Sequence, residues 1–97
     1  MTELSTPLTE YEAFLVSLSE IPDGISKGDY KGRSYIISHT IEAQGQREKL
    51  WAEELGGQDY ISFNLYRLKN GKTLFKPCEM PEIKVTNFVQ NVNITSR

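Results

Sequence analysis

The first regular pattern along the chain is a stripe of apolar residues near its start. The members of this stripe recur at intervals of three and four residues: Tyr11, Phe14, Leu15, Leu18 and Ile21. This spacing predicts an amphipathic helix over residues 8–20. The helix has two candidate N-caps, Thr9 in a capping-box pattern with Glu12, and Thr6 ahead of a proline. Pro22 ends it.

The middle of the chain alternates apolar and polar residues, which is typical of strands with one buried face. Four such stretches cover residues 34–43, 47–54, 60–68 and 73–76. The end of the second stretch, around Glu54, would also suit a helix. Residues 23–32 hold three glycines and few apolar side chains, and are therefore predicted to form a loop.

A second amphipathic helix is predicted after the last strand. Pro81 suits the first helical position, and Glu82 lies near the positive end of the helix dipole. The apolar stripe of this helix is Val85, Phe88, Val89 and Val92. The element order is therefore α-β-β-β-β-α. It predicts an α+β domain, in which a four-stranded antiparallel meander is flanked by an N-terminal and a C-terminal helix.

Length and composition fit one small globular domain spanning residues 1–97. The chain holds a single cysteine, Cys78, which excludes an internal disulfide framework and a multi-cysteine zinc site. No apolar run approaches the length of a transmembrane helix, and the N-terminus lacks the basic-then-apolar pattern of a signal peptide. We therefore expect a cytoplasmic protein.

Charge is unevenly distributed along the chain. The net charge of −2 argues against a strong binder of nucleic acid or membranes. Residues 1–59 hold 5 basic and 11 acidic side chains, whereas residues 60–97 hold 6 basic and 2 acidic ones. Residues 60–78 form a basic stretch that contains Arg67, Lys69, Lys72 and Lys76 and no acidic residue. Because salt screens a distant acidic side chain beyond about 10 Å, this stretch can attract phosphate locally. The same lysines would also suit a solvated hairpin that blocks edge pairing.

The Asn70-Gly71 pair is the strongest turn signal in the sequence. A two-residue type I′ turn needs positive φ at both central positions, which Asn and Gly adopt readily. The resulting register places Tyr66 opposite Phe75, so both rings are predicted on one face of the sheet. Rings beside cations form a surface on which single-stranded bases stack, unless a helix covers them as core or a protein contacts them. The candidate nucleic-acid-binding residues are Tyr66, Arg67, Lys69, Lys72, Phe75 and Lys76.

Four strands with a lysine-rich hairpin, followed by Pro81-Glu82 and a short helix, resemble the single-stranded-DNA-binding coactivator domain of the positive-cofactor-four and Whirly type. The resemblance covers residues 33–92 and is one of topology. It implies a β4α unit that dimerises through its helix and binds extended single strands on a curved sheet. The positions where those contacts would fall are Tyr66, Lys69, Lys72, Phe75 and Lys76. The acidic first half and the N-terminal helix depart from the basic pattern of that family.

Few residues suit catalysis or metal binding. His39 is the only histidine, and it is predicted to be a partly buried, hydrogen-bonded side chain on an apolar strand side. Cys78 precedes a helix start, where a thiolate is favoured, but it reads more simply as a small buried residue. Trp51 is predicted to anchor the core, with a surface contact as the alternative. We expect no enzyme, no bound metal and no cofactor.

Two functional interpretations follow. The first is a non-enzymatic binding or regulatory module that binds single-stranded nucleic acid on its sheet. The second is a protein-interaction module with no nucleic-acid role, whose acidic first half meets a partner. In both we expect a homodimer through the C-terminal helix, because a chain of this length offers limited core for two helices. The exposure of Tyr66 and Phe75 distinguishes the two interpretations.

Overall fold

The chain folds into one antiparallel sheet and two helices, as seen in a computed structural model that describes residues 10–96. The elements in chain order are α1 (Glu10–Ser19), β1 (Gly24–Tyr30), β2 (Arg33–Glu42), β3 (Arg47–Glu54), β4 (Tyr60–Arg67), β5 (Thr73–Pro77), α2 (Glu82–Asn91) and β6 (Asn93–Ser96). A short 3-10 turn, Ala43–Gly45, joins β2 to β3. The strand order across the sheet is β5-β4-β3-β2-β1-β6, with every neighbouring pair antiparallel.

The predicted four-stranded sheet is wrong, because the sheet has six strands. The four predicted strands are present as β2 to β5, and the two predicted helices correspond to α1 and α2. The additional strands are β1, where the sequence predicts a loop, and β6, which follows α2. The two candidate caps of the first helix, Thr6 and Thr9, lie outside the described residues. Neither helix within residues 10–96 is long and apolar enough to cross a membrane.

Strand β1 does not look like a strand in the sequence because the side chains on its covered side are small. Ser26 and Gly28 are both buried there. A Cβ added at Gly28 would lie 2.8 Å from Cγ2 of Val92 and 3.0 Å from the carbonyl oxygen of Asn93. The chain leaving α2 therefore passes so close to β1 that only glycine fits at this position.

Strand β6 lies at the far edge of the sheet because α2 crosses from β5 to the outer side of β1. It pairs with β1 over a few residues, with Gly28 opposite Ile94 and Asp29 opposite Asn93. Ile94 is the only member of this four-residue strand that packs against the core. A single apolar position gives no alternation, so the sequence pattern could not indicate this strand.

Both helices pack on the same face of the sheet. Phe14 of α1 contacts Phe63 of β4, with ring centroids 5.7 Å apart, and Phe88 of α2 contacts Tyr35 of β2 at 5.0 Å. The two helices and the residues just after α1 contribute six side chains to the core: Phe14, Leu18, Ile21, Val85, Phe88 and Val89. The stripe predicted to form a dimer interface on the C-terminal helix is thus buried largely within its own chain, and a homodimer would need another surface.

The predicted type I′ turn is wrong, and the register of the last hairpin differs by one residue. Gly71 has φ +86°, whereas Asn70 lies outside the left-handed region, and a three-residue loop closes between Leu68 and Lys72. As a result, Phe75 pairs with Leu65, not with Tyr66. A one-residue slip moves each side chain of a strand to the opposite face, so Tyr66 and Phe75 lie on different sides of the sheet.

Candidate functional site

No helix or strand within residues 10–96 covers the side of the sheet opposite both helices, and we call this side the open face. Its side chains come from the even-numbered positions of β2, β4 and β5 and the odd-numbered positions of β1 and β3. Strand β3 shows the division clearly: Leu50 and Ala52 are buried under the helices, whereas Lys49, Trp51 and Glu53 are exposed.

The centre of the open face holds two stacked aromatic rings. Trp51 lies against Tyr60 with centroids 5.2 Å apart and planes 22° from parallel. The indole Nε1–H donates to Oε1 of Glu53 at 3.0 Å, which fixes the ring orientation. The cross-strand neighbours of Trp51 are Ser38 and Ser62, whose short side chains do not shield it. Trp51 is consequently 40% exposed, so its predicted role as a core anchor is wrong.

A row of polar side chains runs beside these rings. Lys49, Asn64 and Lys76 are cross-strand neighbours on β3, β4 and β5, and both lysines are exposed. Because adjacent strands lie about 4.8 Å apart, the two lysine backbones are separated by about 10 Å. Neither lysine forms an ion pair with any residue in the described part of the chain. The row therefore presents two uncompensated cations next to Trp51.

The structure brings together only part of the predicted site. Tyr66 and Lys76 both lie on the open face, and Lys69 and Lys72 are exposed at the tip of the hairpin. Phe75 instead lies on the covered side. Its ring centroid is 5.0 Å from that of Phe14 and 5.3 Å from that of Phe63. It therefore belongs to the packing of α1 on the sheet, which separates it from the other predicted residues.

Arg67 is engaged within the protein. Its Nη1 donates to Oε2 of Glu48 at 2.8 Å and to the carbonyl oxygen of Gly45 at 3.0 Å. These bonds hold the guanidinium toward the β2–β3 connection and away from the lysine row. Arg67 thus differs from Lys76, whose charge has no partner among residues 10–96.

Sequence reasoning missed Trp51, Tyr60 and Lys49 as candidate site residues. The signal that could have found them is the alternation of β3, which puts the tryptophan on the same side as two charged residues and opposite Leu50. A large aromatic residue is usually assigned to the core by its size. In β3, the charged residues two positions before and after the tryptophan predict its exposure better than its size does.

A buried ionic cluster lies on the covered side near the C-terminal end of β2. His39 Nε2 is 2.8 Å from Oε1 of Glu48, and Nδ1 is 3.0 Å from the carbonyl oxygen of Ile21. Burial alone would lower the pKa of His39, but the bonds to Glu48 and Ile21 outweigh it and raise the pKa above its ordinary value. The bond from His39, aided by Arg67, lowers the pKa of Glu48 despite burial. The predicted hydrogen bonding of the histidine is confirmed, and its burial is almost complete.

A second ionic cluster lies on the covered side, where α2 meets the sheet. The hydroxyl of Tyr35 donates to Oδ2 of Asp59, and Nζ of Lys84 donates to Oδ1, both at 2.7 Å. Burial, followed by the bond to Asp59, raises the pKa of Tyr35 to about 12. Burial would raise the pKa of Asp59, but the bonds from Lys84 and Tyr35 outweigh it and lower this pKa. The phenol is therefore a fixed donor at neutral pH.

Within residues 10–96, no group of three or more His, Cys, Asp or Glu side chains is arranged to hold a metal ion. No protein-family model, curated protein or solved structure matches the chain. The resemblance to the positive-cofactor-four and Whirly type therefore stays a prediction, although the four-stranded sheet that it implied is not the sheet observed.

Proposed function

We propose that this protein is a non-enzymatic binding module that holds single-stranded nucleic acid on the open face of its sheet. The observation that carries the proposal is the exposed stack of Trp51 on Tyr60, beside the uncompensated row from Lys49 to Lys76. Flat aromatic rings next to cations on an uncovered sheet are the arrangement by which sequence-tolerant single-strand binders act.

The rings would supply most of the affinity. Stacking of a base on an exposed aromatic side chain contributes about 1–3 kcal/mol, with little dependence on base identity. Tyr60 supports one face of the indole, and the bond to Glu53 orients it, so Trp51 loses little conformational entropy when a base stacks on it. Tyr66, half-buried on the same face, offers a further ring closer to the hairpin.

The lysines would supply the dependence on salt. Each phosphate contact on a single strand adds a slope of about 0.7 to the dependence of log affinity on log salt. Lys49 and Lys76 lie on the open face, and Lys72 is exposed at the adjoining hairpin tip. Because the whole chain carries a net charge of −2, we expect weak binding that salt abolishes readily.

A protein partner on the same face is the second candidate function. Ile25 is 60% exposed and Leu74 is 43% exposed there, and aliphatic side chains of this kind suit a protein interface better than a phosphate backbone. Trp51 would then be the central contact of the interface, as tryptophan often is. In this reading the lysines supply charge complementarity to an acidic partner.

The only tryptophan of the chain lies at the centre of the proposed site, so its fluorescence reports binding directly. We expect a single-stranded oligonucleotide of about 15 nucleotides to quench the fluorescence of Trp51 at low salt. Its affinity should fall as the salt concentration rises. The charge-reversed variant Lys49→Glu/Lys76→Glu should lose this binding. A matched variant with two reversals on the other side of the sheet, Lys31→Glu/Arg33→Glu, should keep it.

Absence of quenching at low salt, with no change in the anisotropy of a labelled oligonucleotide, would eliminate the nucleic-acid function. Equal binding by both charge-reversed variants would eliminate the open face as its site. In the first case the protein-interaction function becomes the better account, whereas in the second the nucleic acid binds to another surface of the protein.

The proposal includes a cytoplasmic location and a homodimer. The single thiol, Cys78, suits a reducing compartment. A dimer that joined two sheets edge to edge would extend the open face and double the number of lysines available to one strand of nucleic acid.

A further inference from the structure

We propose that a second, separate site on the covered side binds a small organic anion, namely a phosphate or carboxylate group attached to a flat apolar body. The site is a concavity of about 580 Å³ between α2 and the β1–β2 turn, and we call it the α2 pocket. The lining residues used here are Tyr30, Lys31, Arg33, Asp59, Lys84 and Asn87. Its volume falls in the range of sites for small molecules, about 300–1,000 Å³.

The charges around the α2 pocket are unbalanced. Three cationic side chains line it against one carboxylate, Asp59. Both oxygens of this carboxylate already accept bonds, from Tyr35 and from Lys84. Arg33 makes a long contact of 3.7 Å to Glu54 and also interacts with the hydroxyl of Tyr35, but its side chain is 58% exposed and it carries five N–H donors. The guanidinium therefore has donors available for an incoming anion, which it can bind in bidentate fashion.

The second cation, Lys31, forms no ion pair within residues 10–96 and lies in an unusual backbone conformation. Lys31 has φ +53° and the following Gly32 has φ +75°, so both residues of the β1–β2 turn are in the left-handed region. Asn and Gly adopt such turns readily, whereas lysine pays a conformational cost. Nζ of Lys31 lies 5.4 Å from the centroid of the Tyr30 ring. A strained lysine whose charge lies over a pocket wall is consistent with a binding role.

The flat body of the ligand is inferred from the aromatic wall. Tyr30 lines the pocket, and its ring packs edge-on against two other rings. The distance between ring centroids is 6.2 Å to Tyr35 and 5.1 Å to Phe88. Phe88 and Tyr35 are fully buried, so this wall is rigid. Asn87 adds an amide on the α2 side that can orient a polar substituent. The pocket thus combines an aromatic wall with the cationic side chains of Lys31 and Arg33.

The α2 pocket is independent of the proposed nucleic-acid function, because the two sites lie on opposite sides of the sheet. Arg33 is an odd-numbered residue of β2 and lies on the covered side, whereas Lys49 and Lys76 lie on the open face. The two sites can therefore be tested with each other's variants as controls.

The test is a titration of the full chain, followed by amide chemical shifts, with phenyl phosphate as the probe. Benzoate, inorganic phosphate and neutral benzyl alcohol are titrated in parallel, to separate the contribution of the anion from that of the ring. We expect saturable shifts for phenyl phosphate and benzoate at residues 30–35, 59–61 and 84–88. Inorganic phosphate and benzyl alcohol should each bind about tenfold more weakly, or not at all.

Two variants remove the cations without endangering the fold. Lys31→Asn deletes the charge and places a residue that favours positive φ in the turn, so its stability should be unchanged or higher. Arg33→Gln deletes the bidentate donor from an exposed position. Each should weaken phenyl phosphate binding about tenfold. The control Lys49→Gln/Lys76→Gln should bind as the parent does.

Several outcomes would overturn the proposal. Shifts that do not saturate, or that spread over all exposed lysines, would show that the pocket is not a site. Undiminished binding by Lys31→Asn and Arg33→Gln would show that the cations do not hold the anion. Equal binding of phenyl phosphate and inorganic phosphate would refute the role of the aromatic wall.

Discussion

His39 Nε2 lies 2.8 Å from Oε1 of Glu48, with both side chains almost fully buried. The other ring nitrogen, Nδ1, lies 3.0 Å from the carbonyl oxygen of Ile21. A neutral imidazole has one donor and one acceptor nitrogen, yet here both nitrogens face acceptors. The geometry is satisfied when the ring is protonated, so this cluster is a buried imidazolium–carboxylate pair that Arg67 completes from the other side of Glu48.

We predict that this pair makes stability depend on pH around neutrality. The folded pKa of His39 is raised above 6.5, so its contribution is complete below pH 6.5 and is lost as pH rises through the folded value. The pKa of Glu48 is lowered from 4.5, so its contribution is lost as pH falls below that value. The denaturation midpoint should therefore be highest between these pH values and fall toward alkaline pH.

The control for this prediction is His39→Gln, which keeps a donor toward Glu48 but cannot titrate. It should be less stable than the parent at pH 6 by about 1–3 kcal/mol, because a charge-assisted bond is replaced by a weaker one. Its stability should no longer decline between pH 6.5 and alkaline pH, a range set by the shift of His39. A parent protein whose midpoint does not change over that range would contradict the assignment of an imidazolium.

We predict that Gly28→Ala destabilises the domain, because the added Cβ would lie 2.8 Å from Val92 and 3.0 Å from the Asn93 carbonyl. Overpacking of this kind costs about 1–3 kcal/mol. The matched control is Ser26→Ala on the same strand. The Ser26 hydroxyl is buried with no partner in the described part of the chain, so its removal should be neutral or stabilising. Urea denaturation of both variants checks the close approach of β6 to β1.

How much of this fold the sequence could predict depended on which side chains face the core. Strand β4 alternates the large apolar residues Ile61, Phe63 and Leu65 with polar ones, and each of the strands β2 to β5 was predicted to within one residue of its bounds. Strand β1 presents Ser26 and Gly28 to the core, so it carries no apolar alternation for the pattern to detect. The helices were predictable as amphipathic segments, but nothing local to either helix indicates that both cover the same face.

The candidate site was less predictable than the fold, because it depends on register. The Asn70-Gly71 pair correctly marks a turn, but a three-residue loop in which only Gly71 has positive φ shifts the pairing by one residue. That shift removes Phe75 from the predicted aromatic surface and leaves Tyr66 on it. The opposite error affects Trp51, which was assigned to the core because of its size. Its position in the alternation of β3 places it on the open face.

The hairpin register can be tested with two neighbouring substitutions. Phe75 packs against Phe14 and Phe63 on the covered side, whereas the adjacent Leu74 is 43% exposed on the open face. Phe75→Ala should therefore cost about 3 kcal/mol or somewhat less, given the partial burial of the ring, while Leu74→Ala should cost well under 1 kcal/mol. Free energies of unfolding from urea denaturation measure both. A register based on a two-residue turn would place Phe75 on the open face and Leu74 in the core, so it predicts the opposite order. Similar small losses for both variants would also count against the observed packing of β5, because they would mean that neither residue contributes to the core.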